Sequence, residues 1–100
     1  MATKEFEELA LDGSNYPTWA SDIKITLASR GLLATIQEPQ DGVVVQDKQI
    51  YTALALLRFY IHKYLKAEYL MIENPRELWN SLKERYEQQN ELIWPEANHE

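Results

Sequence analysis

The sequence predicts an all-α protein, a small bundle of about four to five helices that forms one domain. Its 100 residues suit a single domain of ordinary size. Apolar side chains recur at three- and four-residue intervals through several long segments, which is the helical period. Only three glycines and four prolines are present, and they divide the chain into these segments. A hydrophobic content of 45% is enough for a packed core and argues against a disordered chain.

Residues 1–11 have no helical period, and we expect them to form an N-terminal arm that docks on the rest of the domain. The apolar residues that would dock are Phe6, Leu9 and Leu11. The following sequence, Asp12-Gly13-Ser14-Asn15, predicts a turn. Asp, Ser and Asn side chains bond to nearby backbone there, and Gly accepts a positive φ.

A first helix is predicted between Pro17 and Arg30. Proline fits the first helical position because it has no N–H to lose, and Gly31 fits the left-handed residue just beyond the end. One face of this helix is apolar at four-residue intervals and should be buried. The residues on that face are Trp19, Ile23 and Leu27.

A loop and a long second helix are predicted next. Residues 38–46 form the loop, in which Val43–Val45 could make a short strand. Asp47 is the expected N-cap of the helix. Its apolar face continues at alternating spacings of four and three. The residues of that face are Ile50, Leu54, Leu57, Ile61 and Tyr64/Leu65.

The last predicted helix has a compact start signal, with Asn74 as the cap, Pro75 in the first helical position and Glu77 two residues later. We expect it to end near residues 89–90, and residues 91–100 to begin a linker. One face of the helix is apolar. The residues on that face are Leu78, Trp79, Leu82 and Tyr86.

From these faces we predict a core and a candidate interface. The predicted core consists of Trp19, Ile23, Leu27, Leu54, Leu57, Ile61, Leu78, Trp79, Leu82 and Tyr86. Three apolar residues lie off the stripes, and exposed apolar side chains indicate contact surfaces. They are Ile25, Leu56 and Phe59. A second helix that is apolar on two sides is either central in the bundle or covered by a partner.

The composition excludes several classes of function. Without cysteine there is no disulfide, zinc knuckle or thiol nucleophile. No glycine-rich phosphate loop or nucleophile motif is present, so we expect neither an enzyme nor a cofactor. Glu96 and His99 stand three residues apart, but one such pair does not make a metal site. The basic strip Arg58, His62, Lys63 and Lys66 suits a solvated helix flank or a contact with an anion or partner.

Charge and hydropathy limit the partners and the location. A net charge of −6 argues against direct nucleic-acid binding by this chain. The apolar runs are far shorter than the roughly 20 residues that cross a bilayer. The acidic N-terminus is unlike a secretory or mitochondrial signal. We therefore expect a cytoplasmic protein without membrane contact.

Two motifs resemble the Gag polyproteins of copia-type retrotransposons, especially those of plant genomes. The first is Leu11-Asp12-Gly13-Ser14-Asn15-Tyr16, followed by Trp19 and by Gly31-Leu32; it is similar to the family's entry motif, L-x-G-x-N-Y-x-x-W. The second runs from Glu77 to Tyr86 and is similar to the family's A-x-E-L-W-x-x-L-x-x-R-Y helix. The apolar period at Ala53, Leu57, Ile61 and Leu65 resembles the family's middle helix.

The resemblance implies a helical, capsid N-terminal-like domain that self-associates through weak interfaces into a particle shell. It also implies that RNA binding belongs to a downstream region of the parent polyprotein, and that the domain comes from an element or from a host-domesticated derivative. An alternative is an adaptor that binds a peptide of a partner protein in a groove between helices. The N-terminal arm would then occupy that groove in cis.

Overall fold

The structure is a computed structural model that describes the backbone of residues 4–98 and the side chains of residues 4–87. In that range it contains α1 (Tyr16–Ser29), a 3-10 turn (Leu33–Ile36), α2 (Asp47–Phe59), α3 (Lys63–Glu68) and α4 (Pro75–Asn98). The described residues form no β-strand; their one β-type pairing is an isolated parallel bridge between Leu9 and Ile61. The predicted fold class, a small all-α bundle, is confirmed.

Local signals determine both ends of α1. The helix begins at Tyr16, one residue before the predicted start, so that Pro17 occupies its second position. At the other end Gly31 has a φ of 71°, which suits glycine. The N–H of Leu32 then reaches back to the Leu27 carbonyl at 2.7 Å. This closure satisfies carbonyls that the last helical turn would otherwise leave free.

The start of α2 differs from the sequence prediction. The N-cap is Gln46 rather than Asp47, which is the first helical residue. The Gln49 side chain accepts a hydrogen bond from the Gln46 N–H at 2.9 Å, as in a capping box. Asp47 still favours the helix, because a negative charge stabilises the first turn. Residues 43–45 form no strand, since no second strand pairs with them.

The predicted long second helix is wrong, because it breaks after Phe59 and resumes as α3. In an unbroken helix the Tyr60 carbonyl would accept from the Tyr64 N–H. Instead, that carbonyl accepts from the Leu9 N–H at 2.8 Å, and the His62 N–H donates to the Leu9 carbonyl at 2.9 Å. The Tyr64 N–H is satisfied by Nδ1 of His62 at 3.0 Å, which caps α3. The docked N-terminal segment therefore replaces part of the helical ladder.

The start of α4 is as predicted, and its end is not. The Asn74 side chain accepts from the backbone N–H groups of Arg76 at 2.9 Å and Glu77 at 3.1 Å, with Pro75 in the first helical position. The helix does not end near residues 89–90 but continues to Asn98. Residues 99–100, like residues 1–3 of the arm, lie outside the described part of the chain.

All ten residues predicted for the core are buried. The sequence prediction omitted further members of the same cluster. These are Leu9, Tyr16, Leu32, Ile36, Ala53, Tyr60 and Leu65. Most come from the N-terminal arm or from the helix ends, where a helical stripe does not mark them.

Candidate functional site

The N-terminal segment lies in a groove at the break between α2 and α3. We call residues 4–10 the docked arm, and the residues that receive it, Trp19 and 59–62, the arm groove. Leu9 is fully buried, and the Phe6 ring stacks on the Tyr60 ring with centroids 4.1 Å apart. The backbone pairing of Leu9 with Ile61 adds a short strand-like contact. Phe6 and Leu9 therefore dock as the sequence predicts, whereas Leu11 stays exposed.

Asn15 holds the docked arm from the side of α1. Its Oδ1 accepts a hydrogen bond from the Ala10 N–H at 2.9 Å, and its Nδ2 donates to the Glu8 carbonyl at 2.9 Å. One amide thus satisfies a donor and an acceptor of an extended backbone. Although Asn15 is in the N-cap position of α1, its side chain serves the docked arm rather than the helix.

Gly13 brings the turn before α1 into contact with α4. It has a φ of 74°, and a Cβ at this position would fall inside the Tyr86 ring. The Tyr86 hydroxyl donates to the Leu11 carbonyl at 2.6 Å, so the ring and the hydroxyl both contact the turn. Burial raises the pKa of Tyr86, which keeps the phenol protonated as a donor.

Four aromatic side chains connect α1 to α4 in a line. Ring centroids are 6.1 Å apart between Tyr86 and Tyr16, 6.0 Å between Tyr16 and Trp19, and 5.8 Å between Trp19 and Trp79. Such contacts add to the free energy gained by burial alone. Burial, with the nearby charge of Glu87, raises the pKa of Tyr16 to about 12. We call these four residues, with Gly13 and Asn15, the motif cluster.

The Trp19 indole joins the motif cluster to the arm groove. Its Nε1–H donates to the Tyr60 carbonyl at 2.7 Å, and the Leu9 N–H donates to the same oxygen. A carbonyl oxygen has two lone pairs and can accept both bonds. The arm, α1 and the end of α2 therefore meet at one atom. This contact could not be predicted from the sequence, because Tyr60 was expected inside a helix, where a carbonyl normally bonds within its own helix.

The three candidate interface residues differ in exposure. Ile25 is 64% exposed, as expected of a contact residue. Leu56 and Phe59 are instead half-buried against the core, and the Phe59 ring lies edge-on to Tyr60 at 5.0 Å between centroids. The expectation that they are exposed is wrong, because both pack against the core, and Lys4 of the docked arm lies over the Phe59 ring. Among the described side chains, other strongly exposed apolar residues that the sequence did not single out are Val44, Tyr51, Tyr64, Leu70 and Met71.

The predicted basic strip does not form one flank, because the helix that would carry it is broken. Arg58 donates to the Leu70 carbonyl at 2.8 Å and to the Ile72 carbonyl at 3.2 Å, which holds the loop before α4. His62 caps α3. Lys63 and Lys66 remain exposed on α3. Arg58 and His62 therefore have structural contacts that the sequence did not reveal.

The described side chains contain no cluster that could bind a metal ion. No group of three His, Asp or Glu residues within residues 4–87 could hold a metal ion. The pair Glu96 and His99 lies outside the side chains that the structure describes. A cleft of about 350 Å³ lies beside the 3-10 turn and has Glu38 and Arg76 as its charged lining residues. His62 does not line it.

Comparison with protein families, with curated proteins and with solved structures gives no match for this chain. Among the helices of the described residues, none combines the length and apolarity that a bilayer span requires.

Proposed function

We propose that this chain is a non-enzymatic assembly domain, the capsid-type (Gag) domain of a copia-type retrotransposon or of a host-domesticated derivative. In this role it self-associates through weak contacts into a particle shell in the cytoplasm. RNA binding is assigned to a separate region of the parent polyprotein, since this chain is acidic.

The observation that carries the proposal is the contact between the two motifs that resemble Gag. Gly13, Tyr16 and Trp19 of the first motif pack against Trp79 and Tyr86 of the second. These residues of the two motifs therefore hold α1 and α4 together by packing and hydrogen bonding. These contacts give the named motif residues a structural role, and the fold by itself assigns no chemistry to the domain.

Exposed apolar side chains support self-association. Ile25 projects from α1 into solvent, and Met71, in the loop before α4, is 90% exposed. Such residues gain free energy when a second copy covers them, at about 25 cal/mol per Å² of apolar surface. A contact of this size is weak on its own, and many copies in a shell multiply its effect.

Sedimentation velocity over a concentration series tests the proposal. The chain should form larger species as its concentration rises, and Ile25→Asp should shift that onset to higher concentration. Gln40→Asp is the matched control, because it adds the same charge at another exposed position. A monomer at every concentration would contradict autonomous assembly.

The docked arm favours one second candidate, an adaptor that binds a partner's peptide. The docked arm pairs its backbone with Ile61 and places Phe6 and Leu9 in the arm groove, as a bound peptide would. A chain that lacks residues 1–10 can be screened against a displayed library of extended peptides. Enrichment of an aromatic residue three positions before leucine would support the adaptor, and no enrichment would contradict it.

A further inference from the structure

We infer that the arm groove binds the arm of a second copy, so that neighbouring molecules exchange residues 4–10. The inference rests on the proposed self-association and names the segment and the groove that carry it. The partner is thus an extended stretch of the same sequence, Lys4-Glu5-Phe6-Glu7-Glu8-Leu9-Ala10.

The arm groove recognises features that any copy of the arm would bring. The Leu9 backbone forms two hydrogen bonds, one to the Tyr60 carbonyl and one from the His62 N–H. Two side chains give further contact, Phe6 by stacking on Tyr60 and Leu9 by complete burial. None of these contacts depends on the covalent connection between the docked arm and its own α1. Parallel strand addition of this kind is an established way to bind a peptide from another chain.

Asn15 belongs to the molecule that receives the arm, and it contacts the arm backbone on both sides of Leu9. It bonds to the Glu8 carbonyl and to the Ala10 N–H. With the bond from the Glu5 N–H to the Tyr60 hydroxyl at 3.2 Å, the body makes five hydrogen bonds to the docked arm. An arm from a second copy that docks in the same pose would make all five, three with the arm groove and two with Asn15 at the start of α1.

Among the described residues, exchange must give up contacts of the hinge, residues 11–14. The Gly13 N–H bonds to the Ala10 carbonyl at 2.9 Å, the Tyr86 hydroxyl bonds to the Leu11 carbonyl at 2.6 Å, and Gly13 packs against the Tyr86 ring. Such a short connection gives the docked arm a high effective concentration, of order mM, at its own groove. Docking in cis therefore dominates in dilute solution, and exchange needs copies that are packed together, as in a shell.

Isotope-filtered NMR on the unmodified protein tests the exchange directly. Equal amounts of ¹³C-labelled and unlabelled chain are mixed, unfolded, refolded together and concentrated to about 1 mM, the range in which exchange competes with cis docking. Exchange predicts nuclear Overhauser effects between Leu9 of one molecule and Ile61 of another. If the mixture self-associates without them, the inference is wrong while the proposed function stands.

A hinge-shortened variant that lacks residues 12–14 gives a second test, since its arm cannot turn back to its own groove. We expect the sedimentation mass to double at concentrations where the unmodified chain is a monomer. Leu9→Asp in the same variant should restore the monomer. A folded monomer without Leu9→Asp would overturn the inference, and if the variant does not fold, the NMR mixture decides. One further outcome is that the hinge-shortened variant dimerises while the unmodified chain never associates. That result would support arm docking in trans and contradict autonomous assembly.

Discussion

Replacing Gly13 with alanine should destabilise the domain far more than the same change at another left-handed glycine. Two effects lower the stability of the folded Gly13→Ala variant. An L-residue at a φ of 74° costs about 1–2 kcal/mol, and forcing a methyl group into the Tyr86 ring costs about 1–3 kcal/mol. Alanine also restricts the unfolded chain, which offsets about 0.4–1 kcal/mol. The expected net loss is therefore about 3 kcal/mol, a large part of the 5–15 kcal/mol typical of a domain.

Gly42→Ala is the matched control. Gly42 has a φ of 79°, and a Cβ there would meet no atom within 4 Å. Its cost should be the backbone term alone, about 1 kcal/mol or less after the unfolded-state offset. Urea unfolding followed by tryptophan fluorescence measures both variants. Equal losses at the two glycines would refute the contact with Tyr86. In a Tyr86→Ala background the extra loss at Gly13 should disappear, because the ring is gone.

Three further predictions concern the motif cluster and one helix cap. Trp19→Phe removes the buried donor to the Tyr60 carbonyl and should cost about 1–3 kcal/mol in urea unfolding. Asn74→Ala removes the cap of α4 and should cost about 1 kcal/mol in the same measurement. The pKa of Tyr16 is raised from 10.0 to about 12. The contribution of its neutral phenol to the free energy of unfolding is therefore complete below pH 10 and is lost as the pH rises to 12. Stability should therefore fall more steeply over this range in the unmodified protein than in Tyr16→Phe, by unfolding at a series of pH values.

Each of these predictions has a contrary outcome. A Trp19→Phe variant as stable as the parent would mean that the indole bond contributes nothing. Asn74→Ser retains a capping oxygen and should recover most of the loss at Asn74, so an equal loss would point to a cause other than the cap. Parallel pH curves for Tyr16→Phe and the parent would show that this phenol titrates alike in the folded and unfolded chains.

The sequence predicted the parts of the fold that depend on neighbouring residues. Asn74 and Pro75 start α4 with bonds that span two or three positions, and Gly31 ends α1 with bonds to the preceding turn. The apolar stripes likewise identified buried residues, because a helix turns the same face inward at each repeat. Two predictions failed at this local level: the cap of α2 is Gln46 rather than Asp47, and α1 begins at Tyr16 rather than Pro17.

The break after Phe59 could not be predicted, since its cause lies about fifty residues away in the chain. Residues 50–65 have the apolar period of an unbroken helix. The bonds that such a helix would use are made instead with the Leu9 backbone, the Trp19 indole and the His62 side chain. The same distance conceals the candidate site. The sequence predicted that the arm docks through Phe6 and Leu9, but the groove that receives these side chains exists only where the helix is interrupted after Phe59.

Leu9 and Tyr60 are in contact although about fifty residues separate them along the chain, and this separation has a consequence for biosynthesis. A ribosome adds about 5–20 residues per second, so Leu9 is made roughly 3–10 s before the carbonyl that receives it. Tyr86, which covers Gly13, follows later still. Until residues 59–62 have been made, Phe6 and Leu9 therefore have no groove to dock in within their own nascent chain.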